Sequence, residues 1–66
     1  MISVRINGEQ KTIEQSNVAE LIEALGYAPD KVAVECNMVI LGRNLWSGTT
    51  LRDGDILEII GFVGGG

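Results

Sequence analysis

The sequence predicts an α+β domain in which a small mixed sheet is covered by one main helix. Apolar and polar side chains alternate along residues 2–6, the two-residue period of a half-buried strand. Along residues 18–25 the apolar side chains instead recur with the spacing of one helix face. Residues 56–60 are mostly apolar and follow a turn, which predicts a buried final strand. A hairpin, a helix and later strands in that order favour the α+β class.

The hairpin and the helix are both delimited by residues with specific roles. Asn7-Gly8 predicts a tight type I′ turn, because that turn needs a positive φ at both central positions. The return strand is expected over Glu9–Glu14. Asn17 is a helix N-cap with Glu20 three residues later, as in a capping box, and Gly26 is placed to end the helix. The predicted buried face consists of Val18, Leu21, Ile22 and Leu25.

The second half of the chain predicts short strands and turns. We expect strands at 32–36 and 38–41, an irregular segment at 44–50 and a tight turn at 53–55 before the final strand. The pattern allows the first and last strands to lie side by side and parallel, with the helix as the crossover between them.

Composition restricts the classes of function. The chain has 66 residues and a net charge of −4, which predicts a single domain over residues 1–66 and argues against nucleic-acid binding. With no His and only one Cys, a zinc site and an intramolecular disulfide are not expected. No leader or membrane-spanning run is recognised, so we expect a cytoplasmic protein without a membrane partner.

The C-terminal segment 61–66 is the strongest functional signal. We expect a flexible, extended tail in which Gly64, Gly65 and Gly66 could pass through a channel too narrow for side chains. Six residues reach at most ~20 Å. Phe62 and Val63 are apolar, and burying each returns ~1.5–3 kcal/mol, so they are predicted to dock the tail on a partner.

The reactive group of this tail is predicted to be the Gly66 carboxylate. An ionised carboxylate has no leaving group, so another protein must activate it, for instance as an acyl-adenylate. The chain has no phosphate-binding loop with which to adenylate itself. We therefore expect a substrate or carrier with no bound cofactor, not an enzyme.

Other candidate groups have structural explanations. Cys36 has no His to serve as its base, and its position on the face of Val32 and Val34 predicts a buried thiol. Turn chemistry accounts for the carboxylates of segment 53–55. Trp46 is expected either in the core or, if exposed, at an interface.

Taken together, these elements resemble a known family. The hairpin, the capped helix, the strand ending at Asn37, Arg43-x-x-Trp46, the 53–55 turn and the glycine end are similar to the thiamine-biosynthesis sulfur carriers. The resemblance covers the whole chain. It implies the ubiquitin-like β-grasp fold.

The resemblance also implies a function and a set of partners. Gly66 would be adenylated with ATP by an adenylyltransferase of the ubiquitin-activating type and converted to a covalent thiocarboxylate. The sulfur would come from cysteine through a cysteine desulfurase or similar donor. Thiazole synthase would receive it. Three alternatives stay open: the small subunit of a molybdopterin-type synthase, a conjugated modifier, and a ubiquitin-like binding module with an inert tail.

Overall fold

The computed structural model describes residues 1–61 of the chain. Its elements are β1 (Ile2–Ile6), β2 (Glu9–Ile13), α1 (Val18–Ala24), β3 (Val32–Cys36), β4 (Val39–Leu41) and β5 (Ile56–Gly61), with 3₁₀ helices at Pro29–Lys31 and Arg43–Leu45. The expectations for Phe62, Val63, Gly64, Gly65 and Gly66 lie outside the described residues.

The strands form one mixed sheet. Its order is β2-β1-β5-β3-β4, so the last strand lies in the middle. β5 pairs in parallel with β1 and antiparallel with β3, and the two outer pairs are antiparallel hairpins. This arrangement confirms the α+β prediction, and the first and last strands adopt the parallel pairing that the sequence allowed. Together with α1, the one α-helix within residues 1–61, the sheet forms the ubiquitin-like β-grasp fold.

The first turn and the helix follow the local sequence signals. Asn7 and Gly8 have φ values of 50° and 84°, as the type I′ prediction requires. The Asn17 Oδ1 accepts a hydrogen bond of 2.9 Å from the Glu20 backbone N–H. The Glu20 side chain in turn accepts bonds from the backbone N–H and the hydroxyl of Ser16. The capping prediction is therefore confirmed, with Ser16 as the reciprocal partner.

The helix is slightly shorter than its apolar pattern suggested. It ends at Ala24, and Gly26 follows with a φ of 85°. Leu25 is the C-cap and is 36% exposed, so it does not complete the buried face. β2 likewise ends at Ile13, one residue before the predicted limit.

One hydrophobic core lies between α1 and the inner face of the sheet. Its buried members are Val4, Ile6, Ile13, Val18, Leu21, Ile22, Val32, Val34, Cys36, Trp46, Leu51, Leu57 and Ile59. The final strand supplies only two of these residues. The prediction that segment 56–60 is buried throughout is therefore wrong, because alternate side chains of a strand point to opposite faces.

Candidate functional site

The described part of the candidate site is β5, the strand that leads to the C-terminal glycines. Its last residue is Gly61, which we expected at the start of the tail and which pairs with Val32 of β3. Leu57 is fully buried and Ile59 is 6% exposed. The segment beyond Gly61 therefore begins from a strand that is paired on both sides and fixed in the core.

Asn7 continues the hydrogen bonding of β5 on the side of β1, beyond Ile6 and Leu57, the last paired residues of the two strands. Its Nδ2 donates to the Ile59 carbonyl at 3.1 Å, and the Ile59 N–H donates to its Oδ1 at 2.7 Å. The Asn7 backbone N–H also donates to the Leu57 carbonyl at 3.0 Å. A carboxamide has one acceptor and two donors in the same plane. Asn7 therefore replaces a strand residue as the hydrogen-bonding partner of β5.

Asn37 has a related role at the start of β5, on the β3 side. Its backbone N–H donates to the Ile56 carbonyl at 2.8 Å, and the Ile56 N–H donates to its Oδ1 at 3.0 Å. Its Nδ2 donates to the Asp55 carboxylate at 2.9 Å. Two asparagines thus hold opposite edges of the strand that carries the tail.

The carboxylates of the 53–55 turn accept hydrogen bonds from backbone N–H groups. Asp55 accepts from the Arg52 N–H at 2.8 Å, and Asp53 accepts from the Ser3 N–H at 2.8 Å. Gly54, with a φ of 90°, donates to the Ser3 carbonyl at 2.7 Å. The expectation of a structural role is confirmed, since these bonds hold the turn against the start of β1.

Cys36 is a core residue. Its side chain is buried on the inner face of β3. Burial, and secondarily the negative charge of Asp55, raise the pKa of the Cys36 thiol. A raised pKa disfavours the thiolate, which is the nucleophilic form. The prediction of a buried structural thiol is confirmed.

The position of Trp46, which the sequence left open, is in the core. The side chain is 3% exposed, and its indole N–H donates to the Leu41 carbonyl at 3.1 Å. The exposed Arg43 lines an open groove of about 600 Å³ with Tyr27 and Pro29, and an edge of Trp46 also reaches it. The Arg43-x-x-Trp46 element therefore combines a core residue with a surface residue.

Sequence reasoning missed the outward face of the sheet. Glu35 and Glu58 are directly opposite each other on β3 and β5, next to exposed isoleucines. The signal was present in segment 56–60, because a two-residue period there separates Leu57 and Ile59 from their outward-facing neighbours.

The described residues contain no candidate for two other kinds of site. Within residues 1–61, no three His, Cys, Asp or Glu side chains form a group that could hold a metal ion. In the same range, no helix has the length and apolar character required to cross a membrane.

Comparison with known proteins gives consistent matches. The model of the ThiS family matches residues 4–66. The crystal structure of the thiamine biosynthesis protein ThiS from Geobacter metallireducens superposes with a TM-score of 0.83 at 38% identity, covering 98% of this chain and all of that one.

Two relatives are much longer proteins. Thiazole synthases of Magnetococcus marinus and Paramagnetospirillum magneticum are 36% and 42% identical to 98% and 92% of this chain. The chain spans only 20% and 19% of their lengths. The family match, the superposed fold and these identities agree with the resemblance drawn from the sequence, and the chain belongs to the ThiS family.

Proposed function

We propose that this chain is the sulfur carrier for thiazole formation in thiamine biosynthesis. The observation that carries the proposal is the ThiS family match over residues 4–66, which includes the terminal glycines. The β-grasp fold and the structural similarity to a thiamine biosynthesis protein support it. The similarity to part of two thiazole synthases supports such an enzyme as the sulfur acceptor.

The proposed chemistry takes place at the Gly66 carboxylate. One of its oxygens attacks the α-phosphorus of ATP on an adenylyltransferase of the ubiquitin-activating type, and pyrophosphate leaves. The terminal sulfur of a persulfide, formed from cysteine by a desulfurase, then attacks the acyl carbon, and the C–S bond forms as the C–O bond to AMP breaks. A thiol reduces the resulting acyl disulfide, which releases the thiocarboxylate and leaves a disulfide between the thiol and the donor. In this scheme the chain is a substrate and carries no catalytic group of its own.

The fold supports this role by giving the tail a rigid base. β5 is paired through Gly61, and Asn7 bonds Ile59 on the other edge. The five residues beyond Gly61 could reach at most ~18 Å into a partner. Gly64 and Gly65 would fit a narrow channel and present Gly66 at its end.

Phe62 and Val63 are proposed as the residues that dock the tail on the activating enzyme. Phe62→Asp should raise the KM for the carrier in adenylation and leave the unfolding temperature unchanged. An unchanged KM would remove Phe62 from the docking surface.

Intact-protein mass spectrometry tests the carrier function directly. The protein is incubated with ATP, its activating enzyme and a sulfur source, and then weighed. We expect the mass gain of one oxygen replaced by one sulfur, located on the C-terminal peptide and dependent on ATP. A variant lacking Gly65 and Gly66 is the matched control and should stay uncharged.

Two of the three alternatives predict other outcomes. No oxygen-to-sulfur exchange in the complete system would refute the carrier function. Isopeptide adducts on lysines of other proteins would indicate a conjugated modifier. Full partner function after removal of Gly65 and Gly66 would indicate a binding module.

A further inference from the structure

An open groove of about 600 Å³ lies beside α1. It is lined by Glu23 of the helix, by Tyr27 and Pro29 in the segment that follows, and by Arg43. Tyr27 is 38% exposed, and Arg43 is also exposed. The groove therefore offers apolar surface next to a cation.

The two charged residues of the groove act differently on an anion. Within residues 1–61, the guanidinium of Arg43 takes part in none of the side-chain hydrogen bonds. A guanidinium binds a carboxylate through charge-assisted N–H···O bonds. Glu23 repels a carboxylate, so we expect an acidic group in this groove to lie at Arg43 and away from Glu23.

The C-terminal segment starts close to this groove. Gly61 pairs with Val32 of β3, which directly follows the 3₁₀ helix Pro29–Lys31. Paired Cα atoms of antiparallel strands are ~4.5–5.5 Å apart, and a 3₁₀ helix advances ~2 Å per residue. The Cα atom of Pro29 therefore lies within ~13 Å of that of Gly61, whereas five further residues reach ~18 Å. The segment is long enough to pass Pro29 and enter the groove.

The same segment is long enough to bring its end to Arg43. Leu41 of β4 pairs with Val34, and Val34 pairs with Ile59. Two strand spacings of ~4.8 Å and two residues of ~3.3 Å along the strand place Leu41 ~12 Å from Gly61. Arg43 is two residues further along the chain, so its Cα atom lies within ~20 Å of Gly61. The segment and the long arginine side chain together span this distance.

The end of β5 is open on the helix side. Leu57 and Ile59 face the core, and the two-residue period of a strand puts Gly61 on the same side. A Cβ atom at Gly61 would meet no atom of residues 1–61 within 4 Å. Glycine also accepts the backbone conformations of a sharp bend. The chain can therefore turn toward the helix here, and Val63 is the next residue on this side if the period continues.

We propose that residues 62–66, which lie outside the described part of the chain, occupy this groove when no partner holds them, with Val63 against Tyr27 and the Gly66 carboxylate bound to Arg43. The length of the segment, the place where it starts and the charge of Arg43 support this occupant. A partner that takes the C-terminus then competes with the groove, and its apparent affinity is multiplied by the fraction of chains that are undocked. The proposal concerns the chain by itself and does not depend on the chemistry at Gly66.

Nuclear Overhauser effects in the full-length chain, studied alone at neutral pH, test the docking directly. We expect an effect between the methyl groups of Val63 and the ring protons of Tyr27. The chemical shifts of Gly66 should also differ from those in a free peptide of residues 62–66. Absence of the Val63–Tyr27 effect would overturn the proposal.

Two charge variants test the carboxylate contact, and they should change the Overhauser effect in opposite directions. Arg43→Gln removes the cation and should weaken it roughly twofold or more, whereas Glu23→Gln removes a repelling carboxylate and should strengthen it. Arg52→Gln and Glu9→Gln are the matched controls, because they make the same charge changes at exposed positions that do not line the groove. Both controls should leave the effect unchanged, and all four variants should unfold near the wild-type temperature. Equal weakening by Arg43→Gln and Arg52→Gln would reject the carboxylate contact.

A mixed sample separates the chain's own C-terminal segment from that of a second copy. Isotope-labelled and unlabelled chains are combined, and only Overhauser effects between the two kinds of chain are recorded. We expect none, and the chemical shifts of Gly66 should not change on dilution. Effects between chains, or shifts that revert to those of the free peptide on dilution, would overturn the intramolecular contact and assign the groove to another copy.

Discussion

The carboxamide of Asn7 forms both backbone hydrogen bonds of Ile59, although the two residues are 52 positions apart. It does so while Asn7 also occupies the first central position of the β1–β2 turn, with a φ of 50°. The turn residue is therefore also the last hydrogen-bonding partner of β5 on the β1 side. The same residue therefore forms the first turn through its backbone conformation and positions the strand before the tail through its side chain.

Replacing Asn7 should lower stability without disturbing the turn. Asn7→Gly keeps the positive φ and removes both side-chain bonds to Ile59. At about 0.5–1.5 kcal/mol per bond, the free energy of unfolding should fall by about 1–3 kcal/mol. Urea denaturation measures this loss, with Asn44→Gly as the control at an exposed asparagine. Equal losses in the two variants would mean that the Ile59 bonds contribute nothing specific.

Replacing Met38 with glycine should raise the stability of the fold, because the backbone conformation of Met38 is unfavourable for a residue with a side chain. It has a φ of 71° and is 90% exposed, in the two-residue turn between the paired Cys36 and Val39. Met38→Gly removes the steric cost of the left-handed conformation, about 1 kcal/mol, and little buried surface is lost. We expect a higher unfolding temperature by calorimetry. Lys11→Gly, in an exposed strand position, is the control and should lower the unfolding temperature. If both variants unfold at a lower temperature than the wild type, Met38 is not strained.

Trp46 should be required for the core rather than for docking. Trp46→Phe leaves the Leu41 carbonyl without its indole donor and removes part of a buried ring, which should cost about 1–3 kcal/mol. Because Trp46 is the sole tryptophan, the variant has no tryptophan fluorescence, and its unfolding is followed by circular dichroism instead. Tyr27→Phe, at a half-exposed ring, should change stability much less. If the folded Trp46 variant loses partner binding at unchanged stability, the assignment to the core is wrong.

Stability should depend on the Cys36 thiol at alkaline pH. The folded-state pKa of Cys36 lies above the ordinary value of 9.0, so the unfolded chain loses this proton first. The contribution of the protonated Cys36 thiol to the free energy of unfolding is therefore fully present below about pH 9 and is lost as the pH rises through the folded-state pKa. The difference in unfolding free energy between the wild type and Cys36→Val should change over this range and be constant at lower pH. A constant difference from pH 7 to 10 would rule out a raised pKa.

Extending the chain beyond Gly66 should abolish charging without affecting the fold. One added alanine moves the terminal carboxylate and places a Cβ where the proposed channel accepts only glycine. Intact mass after incubation with ATP, the activating enzyme and a sulfur source should show no sulfur, while the unfolding temperature matches that of the wild type. Charging of the added residue would contradict the steric role of the glycines.

Local patterns determined much of the fold. The Asn7-Gly8 turn, the Asn17 cap and the Gly26 stop each depend on hydrogen bonds or φ values within a few residues, so the sequence is sufficient to predict them. The face of Cys36 also followed from its spacing along β3. The family resemblance depended on such local elements together with the glycine end.

Only the tertiary structure decided which distant groups meet. The central position of β5, the burial of Trp46 and the Asn7–Ile59 bonds depend on contacts between remote segments, which local periodicity does not encode. The apolar segment 56–60 illustrates the limit: its composition indicated a strand, whereas the sheet and helix determined that Leu57 and Ile59 are buried and Ile56 and Ile60 are not. The sequence alone thus determined the elements and pointed to the terminal carboxylate as the proposed reactive group. Packing of α1 against one face of the sheet decided which surface is left open to partners.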